Sequence, residues 1–418
     1  MALTRLSFDV ESVAFGDATA LAGGILTVDR DRAAALLADP ALAEVRLSWA
    51  SPGQSVRVVK VLDAVQPRTK GPGGAGIFPG FLAPARPQGL GRTWVLRNVA
   101  VVAAGFLPRL QEAVVDMSGP AAALSPLGAT HNLVVEFTPA DGARWEDVDN
   151  ALRRGTLALA AALAETALDV EPDTVEELPG PGGDANGLPR IGAVTNLQTQ
   201  GAFKDTFVYG RSFAGSFPLL VDANDLDDGA VVSGQFGHPA LKNPTWLHQN
   251  HPVVAALRAR HGRDLHFAGV VLSPEPTDQD GKGLISEAAA RTCAAAGWDG
   301  AVVTKEGGGN ADADMALKMD ALEDLGISAV GLFAEMAGVD GTGPSIVVPP
   351  ERATAMASTG NYDERLVLPA VERAFGSATV DLLGVPATAE LELPNAVVYC
   401  SLSPLGWGRL TCGESVPQ

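Results

Sequence analysis

Residues 300–333 read GAVVTKEGGGNADADMALKMDALEDLGISAVGLF. The apolar, β-branched run Ala301–Thr304 predicts a strand, and the glycines 307–309 end it. From Asp312 to Leu325 apolar residues return at three- and four-residue steps, which predicts a helix. Ser328–Phe333 is a second strand. A strand, a helix and a strand within about 30 residues imply parallel pairing with a crossover.

Working outward, Phe267–Leu272 is another strand, Gly283–Ala296 another helix and Ile191–Thr195 a further strand. Alternation of this length predicts a doubly wound, mostly parallel α/β unit with helices on both faces. Leu366–Ala374 and Val397–Leu402 close the chain with weaker patterns. Before residue 183 the signals change to short strands and turns. Gly23–Val28 reads as a strand, and Val45–Trp49 and Val56–Val61 as a pair around Pro52-Gly53. Thr93–Ala104 supplies one or two buried strands. Trp145–Ala167 reads as a helix with Arg153 and Arg154 on its wet face. The segment Leu178–Gly187, rich in proline and glycine, is the best boundary. The fold class expected is therefore α/β, with a strand-rich N-terminal domain (1–183) followed by the α/β domain (184–418).

The 418 residues are 46% hydrophobic and 19% charged, with a formal net charge of −19. A large core follows, and the negative surface argues against nucleic acid and against anionic lipid. Three cysteines at unmatched spacings suit neither a disulfide framework nor a zinc motif. With no apolar run near the ~18 residues of a membrane span, and acids in the first residues, the expectation is a cytoplasmic protein.

A second informative stretch is Val231–His251, VVSGQFGHPALKNPTWLHQNH, holding three of the six histidines. Its apolar start stops at Gly234, which reads as a buried strand ending in a loop beside a ligand site. Ser233-Gly234, Lys242-Asn243-Pro244-Thr245 and His248-x-Asn250 resemble the component B subunits of glycine, sarcosine and betaine reductases. So do Gly91-Arg92-Thr93, Asp116-x-Ser118, Glu306-Gly307, Gly309-Asn310, Asp312, Asp314, Glu335, Gly338-x-Asp340-Gly341 and Gly360-Asn361. The resemblance runs from Phe15 to about Leu368. It implies a substrate-binding subunit of a hetero-oligomer, working with a second component-B-like subunit that carries a reactive cysteine or selenocysteine. It also implies a pyruvoyl group, formed from a cysteine that follows an asparagine after this Ser-Gly. Here those positions are Gln235 and Phe236, and phenylalanine has no β-heteroatom from which that group could form. No pyruvoyl cofactor is expected.

The expected catalytic residues are His248 and Glu306, as general acid or base. Expected substrate contacts are Asp116, Ser118, Asn250, Asn310, Asp312, Glu335 and Asn361. Plainer roles stay open for several of them. Asp116 and Ser118 precede Gly119-Pro120 and suit a side-chain turn, and Asn310 suits a helix N-cap with Asp312 and Asp314 in the first turn. Two acids at that helix start favour a cationic or amine-bearing ligand over a phosphate. No metal ligand set is assigned, zinc held by histidines being the alternative. Three readings follow: a subunit that presents the C–N bond of a small amine-bearing or betaine-like compound for reductive cleavage, a hydrolase of a cyclic amide or related C–N bond, and a non-catalytic subunit that stabilises its partner.

Overall fold

The computed structural model describes residues 2–108, 112–180, 185–199, 206–234 and 237–409. Its strand-rich half holds two four-stranded sheets. One orders Leu42–Ala50, His131–Pro139, Val99–Ala104 and Val61–Val65, and the other orders Thr174–Leu178, Leu3–Asp9, Gly91–Arg97 and Arg68–Thr69. Helix α1 (Trp145–Glu165) lays Leu157, Leu159, Ala160 and Leu163 against Leu96, Val99, Val101 and Leu133. Each fully buried leucine or valine there contributes about 1.5–3 kcal/mol.

The expected pairing of Val45–Trp49 with Val56–Val61 does not form. Lys60 adopts a left-handed φ of 56° and splits the second run into Val56–Val59 and Val61–Val65. Leu42–Ala50 pairs instead with His131–Pro139, and Val56–Val59 with Val114–Asp116 and with Arg373–Phe375. The chain therefore returns, near its end, to complete a sheet begun by its first half. Arg153 also departs from expectation. It is buried, with its guanidinium on Asp149 at 2.7 and 2.9 Å and 4.7 Å from the Phe207 ring, so the salt bridge removes it from the wet face that Arg154 keeps.

The α/β half is built on one six-stranded sheet of β1 (Arg190–Gln198), β2 (Leu219–Val221), β3 (His266–Glu275), β4 (Gly300–Thr304), β5 (Ser328–Glu335) and β6 (Ala355–Asn361). Its spatial order is β2-β3-β1-β4-β5-β6, parallel except for β2. Two short helices, α2 (Thr245–Gln249) and α3 (Pro252–Arg260), precede β3. Val253, Val254 and Leu257 of α3 pack with Ala193, Val270 and Leu272 on one face. Helices α4 (Gln279–Ala295) and α5 (Asn310–Asp324) press Ala289, Cys293, Met315 and Met319 onto Val194, Val271 and Val303 on the other. Asp278 caps α4 through the Gly281 amide at 2.7 Å. The chain leaves β3 and crosses β1 to reach β4, so the winding reverses at β1, and the carboxyl ends of β3, β1 and β4 frame the crevice where such sheets hold ligands.

Candidate functional site

At those three strand ends the hydrophobic runs give way to polar residues: Thr195-Asn196-Leu197-Gln198 on β1, Ser273-Pro274-Glu275 on β3, and Thr304-Lys305-Glu306 on and after β4. The expected meeting of the 231–251 and 304–314 loops occurs here. Asn243 donates its backbone N–H to Glu306 Oε1 at 3.3 Å and its Nδ2 to the Lys305 carbonyl at 3.0 Å. Glu306 Oε2 accepts from the Gln198 amide at 3.4 Å and from Thr206 Oγ1 at 3.5 Å. Burial pushes the Glu306 carboxyl up, and Lys242 is the largest opposing influence. Lys242 is buried too, its pKa lowered by desolvation, and its Nζ donates to Ser233 Oγ at 2.5 Å. Ser233 N–H donates to Thr245 Oγ1 at 2.9 Å, and that hydroxyl donates to Asp63 at 2.6 Å, which ties the loop to the strand-rich half. Val231–Val232 itself pairs with Phe207–Val208 in a small side sheet rather than in the large one, because the run is only two residues long before Ser233 turns to these partners.

His248, the other expected acid–base residue, is 1% exposed on α2. Neither ring nitrogen finds a partner of good hydrogen-bond geometry among the described residues. Burial, then His251 and Lys242, hold its pKa well below the ordinary 6.5, so the ring is neutral. His251 Nε2 meets Thr195 Oγ1 at 3.0 Å, and burial depresses its pKa to about 3.

Several expected substrate contacts have other occupations. Asp116 is held by Arg57 at 2.6 and 2.9 Å in the strand-rich half, 1% exposed, which leaves no face for a ligand; Ser118 lies half-buried in the bend after it. Asn250 bonds Gln66, Arg68 and the Trp246 carbonyl, fixing the turn between α2 and α3. Asn361 donates to the Gly338 carbonyl and accepts from the Asp363 amide, organising the loops after β5 and β6, where Glu335 is its cross-strand neighbour. Asn310 is the first residue of α5, exposed, with Gly309 in the capping position at a φ of 69°. Asp312 is buried and paired with Lys305, while Asp314 is paired with Lys282. The two acids of that helix start are therefore neutralised by lysines, and the cation-binding role expected of them gives way to an internal ion network.

Sequence reasoning missed that network. It holds Lys282, Lys305 and Lys318 against Glu275, Asp312 and Asp314, all at most 2% exposed. The signal available was the repeated ending of apolar runs in alternating polar residues. Glu275 accepts the Glu306 backbone N–H on Oε1 at 3.2 Å; burial, then the neighbouring Asp314, raises its pKa to about 8. Glu275 Oε2, Asn196 Oδ1 and Nδ2, Gln198 Oε1, Ser273 Oγ, Thr304 Oγ1, Asp314 Oδ1 and Lys318 Nζ find no hydrogen-bond partner among the described residues. Each such orphan costs roughly 1–3 kcal/mol unless something polar meets it.

A cleft of about 450 Å³ opens nearby, lined by Lys60, Phe106, Glu112, Asp381, Pro239 and Tyr362. Tyr362 Oη lies 3.5 Å from His238 Nδ1, and burial, then Lys305, depresses the His238 pKa, so this wall of the cleft stands near Lys305. Among the described residues no three His, Cys, Asp or Glu side chains gather to hold a metal, so a zinc-dependent hydrolase has no ligand set there. The resemblance would place a pyruvoyl group at the two residues after Ser233-Gly234. Gln235 and Phe236 lie outside the described residues, but a benzyl side chain supplies no leaving heteroatom, and the adjacent Ser233 hydroxyl is engaged by Lys242. No helix of the described residues is long and apolar enough to cross a membrane.

Comparison with known proteins matches residues 1–411 to the glycine/sarcosine/betaine reductase component B subunits. The chain is 34% identical over 416 residues to the glycine reductase complex component B subunits alpha and beta of Peptoclostridium acidaminophilum, covering 96% of this chain and 97% of the relative. It is 32% identical over 424 residues to the protein of the same description from Acetoanaerobium sticklandii, covering 96% and 97%. It is also 32% identical over 380 residues to the sarcosine reductase complex component B subunit alpha of P. acidaminophilum, covering 88% and 87%. No solved structure matches the chain.

Proposed function

The chain belongs to the family of glycine/sarcosine/betaine reductase component B subunits, and from that premise we propose that it is the substrate-binding subunit of a reductase-like complex. It takes a small amine-bearing acid or betaine-like compound and presents the C–N bond to a thiol or selenol on a second subunit, without a pyruvoyl group. The observation that carries this reading is the whole-length family match joined to a crevice of buried, partly unpartnered polar groups at the ends of β3, β1 and β4.

Thiol chemistry among the described residues, which leave out Cys412, supports a second subunit. Cys293 and Cys400 are both buried, and burial raises the Cys293 thiol to about 12 and the Cys400 thiol well above its ordinary value. A thiol held protonated is a poor nucleophile, so neither attacks carbon. Without a Schiff base, activation rests on charge and position, with Glu306 as the acid–base group beside the substrate.

The test is reconstitution of this chain with a component-B-like partner carrying a reactive Cys or selenocysteine, with glycine, sarcosine and betaine assayed for reductant-dependent amine release. Release supports the reading. No release, in a complex whose 418-residue chain is intact by mass spectrometry, overturns it; so does a chain found cut beside Phe236 with a carbonyl-blocked new end. A complex fully active with Glu306→Gln would make the chain a stabilising subunit instead.

A further inference from the structure

We propose that the cleft of about 450 Å³ lined by Lys60, Phe106, Glu112, Asp381, Pro239 and Tyr362 recognises a small organic cation, a methylated ammonium in preference to a bare one. This rests on the reading above and names which residues would recognise the nitrogen end of the substrate. The volume lies within the range of small-molecule sites. Phe106 and Glu112 lie between Val99–Ala104 and Val114–Asp116, Pro239 and Tyr362 belong to the α/β half, and Asp381 comes from the C-terminal stretch. Two residues at its walls hold left-handed backbones without being glycine: Lys60, with a φ of 56°, and His238, which meets Tyr362, with a φ of 49°. Such conformations are costly and gather where ligands are held.

The charges of the lining do not balance. Glu112 and Asp381 bring two carboxylates against the one ammonium of Lys60. Lys60 Nζ donates to Asp381 Oδ2 at 2.6 Å, and Thr379 Oγ1 donates to Asp381 Oδ1 at 2.8 Å. The Asp381 side chain is still 59% exposed, open to a further cation. Glu112 Oε2 accepts the Asp381 backbone N–H at 2.8 Å, and Oε1 finds no hydrogen-bond partner among the described residues. Burial raises the Glu112 pKa, opposed by the Asp381 amide and Lys60, and an arriving cation favours the ionised form further. His238 adds no charge, since burial and then Lys305 disfavour its protonation. The surplus carboxylate suits a cation and opposes an anion. The rest of the wall decides which cation. Phe106 stays 54% exposed, although Lys60 Nζ stands 5.7 Å from its ring and Trp145 meets it edge to face. Leu382 and Val397 continue the apolar surface. A bare ammonium needs hydrogen-bond acceptors on every side, whereas methyl groups spread the charge onto aromatic and apolar contacts. Acceptors at one end and an apolar wall elsewhere therefore select the methylated ion.

The probe is tetramethylammonium, followed by isothermal titration calorimetry on the full chain, with ammonium and acetate at the same ionic strength for comparison. Saturable binding of tetramethylammonium is expected, about tenfold weaker for ammonium and absent for acetate. Phe106→Ala and Asp381→Asn should each weaken it about tenfold. Both side chains are more than half exposed, so both variants should fold, which circular dichroism checks; should one fail, the other decides. No saturable binding, equal binding of ammonium, binding of acetate, or binding unchanged in the variants would overturn the cleft's role. Tetramethylammonium binding without turnover in the reconstituted complex keeps the cleft and discards the C–N reading. Turnover that neither variant alters keeps that reading and discards the cleft.

Discussion

Arg57 in the strand-rich half and Lys318 in the α/β half are both cations with no exposed surface, yet only the first is saturated. Arg57 places Nε and Nη2 on Asp116, Nη2 also on the Pro369 carbonyl, and Nη1 on the carbonyls of Ala387 and Ala389, at 2.6 to 2.9 Å. Every N–H of the guanidinium has an acceptor, and the pair reads as structural glue between the first half and the end of the chain. Lys318 has the Asp314 carboxylate at 3.6 Å and no hydrogen-bond partner among the described residues. A buried charge whose hydrogen bonds are complete ties distant segments together, whereas Lys318 is held by the longer-range attraction of Asp314 and its neighbours.

That contrast is breakable. The largest effect belongs to Arg57→Ala, which strands Asp116 in the interior. It should destabilise the chain by about 3–5 kcal/mol in denaturant unfolding, with turnover per folded molecule in the reconstituted complex unchanged; an effect under about 1 kcal/mol would remove the structural half of the comparison. Next is Glu306→Gln, for which a rate loss of about a hundredfold is expected with little change in unfolding midpoint. Loss of stability without loss of rate would place Glu306 with Arg57 instead.

The smallest effect is on the pH dependence of stability. A Glu275 carboxyl raised from 4.5 to about 8 keeps its proton when folded and releases it near 4.5 when unfolded, so stability falls as pH climbs through that window and then levels. His251, lowered from 6.5 to about 3, acts on the other side: the unfolded ring takes a proton that the folded one refuses, and stability is lost as pH falls from 6.5 toward 3. Between pH 6.5 and 8 only the Glu275 slope of these two remains. Denaturant titrations across that interval should show a decline that Glu275→Gln flattens, and an equal decline in the variant would mean the proton sits elsewhere.

The α/β half was legible because its signals are local. Gly300–Thr304, Asn310–Asp324 and Ser328–Glu335 lie within one or two residues of the expected strand, helix and strand, since periodicity and glycine punctuation are both written in consecutive residues. The strand-rich half was less so, because its partners are distant. Asp116 finds Arg57 59 positions away, and Val56–Val59 finds a strand that begins at Arg373. No window of sequence shows such pairings, so an aspartate shortly before Gly-Pro reads more readily as a turn, or as a ligand group, than as the partner of a distant arginine. The site fell between these cases. Glu306 and the meeting of its loop with Asn243 were visible as motifs, while the lysines that neutralise Asp312 and Asp314 were not, because a lysine in an amphipathic helix reads as solvated until the packing buries it.

The return of Arg373–Phe375 to lie beside Val56–Val59 has a topological consequence. A protease nick between those two segments, for instance in the exposed turn at Gly262-Arg263, would give fragments that stay interlocked, since neither can depart without tearing a strand out of the other's sheet. Covalent continuity and physical unity are thus separate properties in this molecule, and a gel run in detergent would count pieces where size exclusion would count one particle.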